Sequence, residues 1–298
     1  MAMVVALVLV AVGSVLFHFM APSIGWWWTP IASNWGYIDD TIILTFWVTG
    51  VVFIAVILFM AYCCIRFRYR KDARSEYEPE NSKLEWWLTI LTTIGVVAML
   101  TPGLFVWHQF VTVPPGAAEF EALGQQWSWS YRFPGKDGIL GTTDPRNVND
   151  DNPYGINPKD PNGQDDILVD GDELHLPLGQ PVKALLRSLD VLHDFYVPQF
   201  RAKMDIIPGM ITYFWLTPTR TGTFDILCFE LCGTGHYAMR GTVVVEEKSA
   251  FEAWLKEQPT FAQSLAAAKT KAKKADVKLV LNKGSAQISG TIQAISNR

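Results

Sequence analysis

Positive charge is missing from the first 65 residues, which hold no Lys or Arg and only two acids, Asp39 and Asp40. Over all 298 residues only 18% are charged, against about 25% in a soluble globular protein. With 49% hydrophobic residues, the chain is neither disordered nor fully soluble. Cysteine is also scarce. There are four, and Cys63 and Cys64 are adjacent in an apolar run, so a disulfide framework is excluded. Cys-x-x-Cys-His is absent, which excludes covalently attached haem. The charge that is present falls unevenly. Residues 112–258 carry 12 basic and 21 acidic side chains, and residues 259–298 carry 7 basic and 1 acidic. The net charge of −4 hides both imbalances. At ~150 residues per domain the length fits two domains. The charge pattern adds a membrane segment, an acidic domain and a basic tail.

Three stretches, 4–21, 41–65 and 86–106, reach the ~20 apolar residues that cross a bilayer. The third is softly interrupted by Pro102-Gly103, which membrane helices tolerate. Arg66, Arg68, Arg70, Lys71, Arg74 and Lys83 lie between the second and third stretches, whereas 22–40 has no Lys or Arg. The positive-inside rule therefore puts 66–85 in the cytoplasm, and both 22–40 and everything after about 110 outside. Trp26-Trp27-Trp28 and Trp86-Trp87 fall at the expected interfaces as an aromatic belt. The first stretch lacks a basic leader and a small-residue cleavage site, so it reads as a retained extra helix rather than a signal peptide. His18 inside it reads as a neutral, packed histidine.

From about Val111 the texture changes to short β-rich runs, at 119–123, 126–133, 167–169, 181–188, 210–217, 222–227 and 241–246. Many short strands at this spacing predict a sandwich or Greek-key barrel, closed by a short helix at 251–257. Residues 134–166, rich in Pro, Asp, Asn and Gly, predict a long solvated acidic loop whose spacing does not match a calcium-binding EF-hand. The tail beyond Thr260, with Lys269, Lys271, Lys273 and Lys274, predicts a loose or helical Ala/Lys appendage.

The chemistry concentrates in Cys228-Phe-Glu230-Leu-Cys232-Gly-Thr-Gly-His236-Tyr-Ala-Met239, between two predicted strands. Thiolate, imidazole and thioether form a soft donor set that favours copper over harder ions. His193 supplies a second imidazole. A Cys-x3-Cys disulfide, a zinc site and a mononuclear blue copper site each remain open. Met is not a usual zinc ligand, however, and a second cysteine is surplus to a blue copper site. Two thiolates bridging two ions, each ion with one His and one weak ligand, use the whole set. The main-chain carbonyl of Glu230 can fill the remaining position.

This motif, with Asp190-Val-Leu-His193 and Lys203-Met-Asp205-Ile-Ile-Pro208-Gly209, resembles subunit II of the haem–copper cytochrome c oxidases, over residues 40–257. The resemblance implies transmembrane helices, a two-helix hairpin plus the extra first helix, followed by an all-β cupredoxin-like Greek-key barrel. It implies boundaries of 1–40 for the extra helix and its loop, 41–110 for the hairpin, 111–258 for a periplasmic copper A domain and 259–298 for the tail. Dinuclear copper A would be held by His193, Cys228, Glu230 through its carbonyl, Cys232, His236 and Met239. The Glu230 side chain would face a magnesium ion shared with subunit I. In Gln126-Trp127-Ser-Trp129-Ser-Tyr131, Trp127 would take electrons from cytochrome c, the other aromatics serving as an ordinary strand. Glu85 would stand at the mouth of a proton channel, although an acid opening a helix also suits the macrodipole.

The implied protein is a multi-pass subunit of the bacterial inner membrane. It partners subunit I, subunit III and cytochrome c, with no nucleic acid, and passes electrons to haem a for oxygen reduction coupled to proton pumping. The acidic domain fits a lysine-rich cytochrome c. The sequence departs from the family pattern in six respects. His193 is followed by Asp-Phe-Tyr rather than Ser and Trp or Phe, Phe229 stands where a small residue is common, and Thr92 replaces a Pro. The extra helix, the 134–166 loop and the tail also lie outside it. A quinol oxidase subunit would lack the copper ligands. A nitrous oxide reductase would need a His-rich propeller that five His cannot furnish. A non-redox scaffold subunit is the alternative from another class.

Overall fold

The computed structural model describes all residues except 27, 75–76, 272 and 274–298. The expectations for Trp27 and for the tail beyond 273 therefore lie outside the described residues. The chain forms two compact units, one of Met1–Val113 with Gln199–Arg201 and one of Pro114–Pro198 with the chain from Ala202 onward.

The first unit contains three apolar helices, α1 (Ala2–Met20), α2 (Gly36–Arg66) and α3 (Ser82–Val111), each long enough to cross a membrane. Apolar composition leaves the backbone nothing but its own i→i−4 bonds, which is what makes a helix the viable form in hydrocarbon. The few hydroxyls follow the same logic. Thr41, Thr45 and Thr49 each donate to the carbonyl four residues earlier, at 2.7, 2.9 and 2.7 Å. α3 starts where the Asn81 side chain accepts from the Leu84 N–H at 3.1 Å and runs on through Pro102. His18 packs edge-on against Trp47 of α2, ring centres 5.2 Å apart. Asp39, one of the two acids in the uncharged stretch, takes a two-pronged pair from Arg201, at 2.6 and 3.0 Å.

The second unit is a β-sandwich of the cupredoxin-like kind. One sheet has the order β3-β2-β1-β5-β8 and the other β4-β10-β9-β6-β7. The strands are β1 (Ala118–Gln125), β2 (Ser128–Phe133), β3 (Ile167–Asp170), β4 (Glu173–Pro177), β5 (Val182–Ser188), β6 (His193–Val197), β7 (Ala202–Ile206), β8 (Thr212–Leu216), β9 (Gly222–Cys228) and β10 (Arg240–Glu246). Alternation is clear in β10, where Gly241, Val243 and Val245 point inward. Three strands went unread in the sequence, namely β4, β6 and β7. Each is short and carries His or charged residues that break the apolar alternation.

The 134–166 segment corrects the expectation of a solvated loop. It includes a 3-10 turn at Pro145–Asn147 and a single helical turn, α4 (Pro161–Gln164). Tyr154 and Ile156 from this segment are buried against Leu123 of β1 and Phe261 of the tail. β1 consequently has both faces covered, with Phe120 and Ala122 on one and Glu121 and Leu123 on the other. Beneath the cover, the buried Arg132 guanidinium pairs with Glu121 (Nε–Oε2 2.7 Å) and with Asp166 (Nη1–Oδ2 2.8 Å). Arg187 also pairs with Glu121. Of the two forms expected for the tail, loose or helical, its described start is helical, and it is also packed onto the domain. After α5 (Lys248–Glu257), Thr260 bridges to Ile167, Phe261 is fully buried, and 261–271 is helical.

Candidate metal centre

β1, β5, β7 and β9 all end at the same edge of the sandwich, so the 126–127, 189–192, 207–211 and 229–239 loops share one end. The last of these is a closed hairpin loop. The Cys228 N–H donates to the Met239 carbonyl at 3.3 Å, just before β10 begins. Gly233 takes a φ of +117°, open in practice only to glycine. A Cβ on Gly235 would come 2.3 Å from the Trp127 ring, so the absence of a side chain lets the indole lie against the loop.

Six donor groups converge there. The sulfurs of Cys228 and Cys232 are 3.7 Å apart. His236 Nδ1 is 3.5 Å and Met239 Sδ 3.9 Å from the Cys232 sulfur. His193 Nδ1 is 3.9 Å and the Glu230 carbonyl 3.3 Å from the Cys228 sulfur. Donors sharing a tetrahedral ion at bond lengths of roughly 2.0–2.3 Å are separated by about 3.3–3.8 Å, so these spacings fit metal ligation. They do not fit a disulfide, whose sulfurs lie about 2.05 Å apart, and both cysteines are free. Two soft thiolates, two imidazoles, a thioether and a carbonyl suit copper.

The surroundings prepare the ligands. Nε2 of the fully buried His193 lies 2.8 Å from Asp190 Oδ1. A proton on Nε2 directs the Nδ1 lone pair toward the thiols. The other Asp190 oxygen accepts from the Gln126 N–H at 2.7 Å. Burial raises the Asp190 carboxyl, but the His193 and backbone bonds outweigh it and hold it below its usual value. Burial likewise opposes ionisation of Cys228, yet His193 and neighbouring backbone groups bring that thiol down to about 6. Burial and the adjacent Cys228 push Cys232 up to about 12. The thiol pair therefore gives up its first proton more readily than its second, which a cation's charge would favour.

Trp127 is about two-fifths exposed, and its Nε1–H donates to the Cys232 carbonyl at 3.3 Å. Gln126 Nε2 donates to the same oxygen at 2.8 Å. Trp129 and Tyr131 are buried strand residues. The Glu230 side chain is exposed. Glu85 belongs to the helical unit, exposed in the first turn of α3, and is not among the residues gathered here. Asp190 and Gln126 are the supporting residues that sequence reading passed over. A carboxylate three residues before a ligand histidine was the available signal.

Fold and site together define a cupredoxin-like metal domain carried on membrane-spanning helices. Residues 119–247 match the family described as cytochrome C oxidase subunit II, periplasmic domain. The chain is 64% identical over 262 residues to the alternative cytochrome c oxidase subunit 2 of Bradyrhizobium diazoefficiens, covering 88% of this chain and 94% of that one. It is 25% identical over 237 residues to cytochrome c oxidase subunit 2 of Cereibacter sphaeroides, covering 77% of each. A solved periplasmic domain of cytochrome oxidase subunit II from Bradyrhizobium japonicum is 27% identical, with a TM-score of 0.36, over 49% of this chain and 95% of that one. The chain belongs to the cytochrome c oxidase subunit II family. It is a component of a haem–copper oxidoreductase complex, and membership implies copper A at this cluster. The three apolar helices fit a membrane-anchored subunit with a periplasmic domain.

Proposed function

We propose that this chain takes electrons from a cytochrome c at a dinuclear copper A centre and passes them to haem a in subunit I, where oxygen is reduced with proton pumping. The ligands are His193, Cys228, the Glu230 carbonyl, Cys232, His236 and Met239. The convergence of all six donors from one loop and two adjoining strand ends carries this reading. When bound, copper held by these donors would supply a one-electron carrier at this end of the domain.

The chain's own groups do the rest. Trp127 offers an exposed indole hydrogen-bonded to the carbonyl of a ligand cysteine, and so acts as the electron entry. Asp190 fixes the orientation of His193. The Glu230 side chain, pointing to solvent between the two cysteines, binds magnesium at the interface with subunit I. Glu85 receives protons at the cytoplasmic side. Trp127, Leu189, Leu192, Met210, Leu231 and Tyr237 are exposed apolar residues on loops at the metal end, which supports docking of protein partners there. The acidic balance of residues 112–258 favours a basic donor, whose encounter rate falls with salt.

The reading places the subunit in a bacterial inner membrane with subunits I and III. It divides the chain at 1–40, 41–110, 111–258 and 259–298; the unit boundary at Val113 supports the second division, whereas buried Phe261 carries the β domain past the third. The test is to load the full-length chain in detergent with copper and record its EPR and visible spectra. A mixed-valence pair is expected, and its absence refutes the centre. Trp127→Ala should slow reduction by cytochrome c at least tenfold with copper content intact. Lost copper would instead mark Trp127 as a structural prop of the loop.

A further inference from the structure

Asp194 and Phe229, which directly follow the donors His193 and Cys228, meet on a third residue. The Asp194 side chain is fully buried, and its Oδ2 lies 3.0 Å from Nζ of Lys203, across the β6–β7 ladder. The same ammonium stands 5.3 Å from the centre of the Phe229 ring. Tyr196 approaches that ring at 5.0 Å. The Phe229 N–H also donates to the Asp194 main-chain carbonyl at 3.2 Å. Asp194 therefore holds Phe229 twice, directly through the backbone and indirectly through Lys203. Phe229 is 58% exposed, so burial alone does not fix its ring. Immediately after it comes Glu230, whose carbonyl sits 3.3 Å from the Cys228 sulfur.

We propose that Asp194, Lys203 and Phe229 form a positioning clamp that sets how closely the Glu230 carbonyl approaches the metal held by Cys228. A weak carbonyl ligand tunes the potential of a copper–thiolate site through its distance. The clamp thus adjusts the centre from outside its ligand set. It does not assemble the site, because all six donors are placed by the ends of β6 and β9 and the 229–239 loop. The inference rests on the copper A reading.

The test uses the full-length chain, copper-loaded in detergent, with copper content, EPR hyperfine pattern and midpoint potential as readouts. Lys203→Met and Phe229→Leu should keep full copper and shift the potential in the same direction. The double variant should shift it no further than the larger single change, and Lys203→Arg should restore the original value. In the copper-free chain, Asp194→Ser should speed amide exchange across 229–231 several-fold and leave β10 unchanged. Unchanged potential, an additive double variant, copper loss in Lys203→Met or Phe229→Leu, or unchanged amide exchange would each overturn the clamp. The two readings fail differently. A missing mixed-valence spectrum in the unaltered chain defeats copper A itself. A normal spectrum with an invariant potential defeats only the clamp.

Discussion

The threonine hydroxyls of α2 and the buried charges of the β-sandwich both sit among apolar groups, and they are satisfied by opposite means. In α2 each threonine hydroxyl finds its partner four residues back on the same helix. In the sandwich, Arg132 reaches Glu121 eleven residues away and Asp166 thirty-four residues away. The difference follows from the surroundings. A helix meant for hydrocarbon must close its hydrogen bonds within itself. A folded β domain can bury charge when distant segments supply the countercharge. Local satisfaction makes a region modular, and remote satisfaction makes distant segments depend on one another.

The largest expected effect comes from breaking a remote partnership. Arg132→Met leaves Asp166 buried without its cation and Glu121 with Arg187 alone, and should destabilise the domain by about 3–5 kcal/mol, measured by urea unfolding. Asp190→Ala ranks next. It removes the acceptor on His193 Nε2 and should weaken copper binding by roughly 10- to 100-fold in competition with a chelator. A smaller effect is expected with pH. Burial raises Asp166 and Asp194 to about 6, against the pull of Arg132 and Lys203. Between about 4 and 6 the folded chain then holds protons that the unfolded chain has released. This contribution is complete below about 4 and is lost as pH rises through 6. The unfolding midpoint attributable to these groups should fall from pH 5 to pH 7, and Asp166→Asn should shrink that difference. The least effect belongs to the local partnership. Thr45→Val should change helix stability by less than about 0.5 kcal/mol, because the hydroxyl leaves with its own bond and strands no distant group. A large loss there would erase the contrast.

The same contrast explains what was legible in the sequence. The three helices appear as runs without charge because their requirements are local, and α3 simply continues through Pro102. Five of the six donors lie within twelve residues, so the cluster could be read directly, with His193 added from upstream. β6 and β7 went unread because Asp194, Lys203 and Asp205 interrupt their pattern for reasons that lie across the ladder. The 134–166 segment looked solvated because its composition is that of a loop, and its buried members, Tyr154 and Ile156, acquire a core only from β1 and Phe261. The carboxylate of Asp190 was visible, but its second contact, to the Gln126 backbone, is not encoded by spacing.

The burial of Phe261 beneath the 134–166 segment also has a consequence for the order of assembly. A chain made from its N-terminus presents its helices to the membrane long before residue 261 exists. The cover over the outer face of β1 therefore stays incomplete until residue 261 has been made, after every strand of the sandwich. Shortening the chain to residue 259 would spare all six donors and still strip Phe261 from the cluster that covers Leu123 and Ile156, so the β domain reaches past its own last strand into the tail.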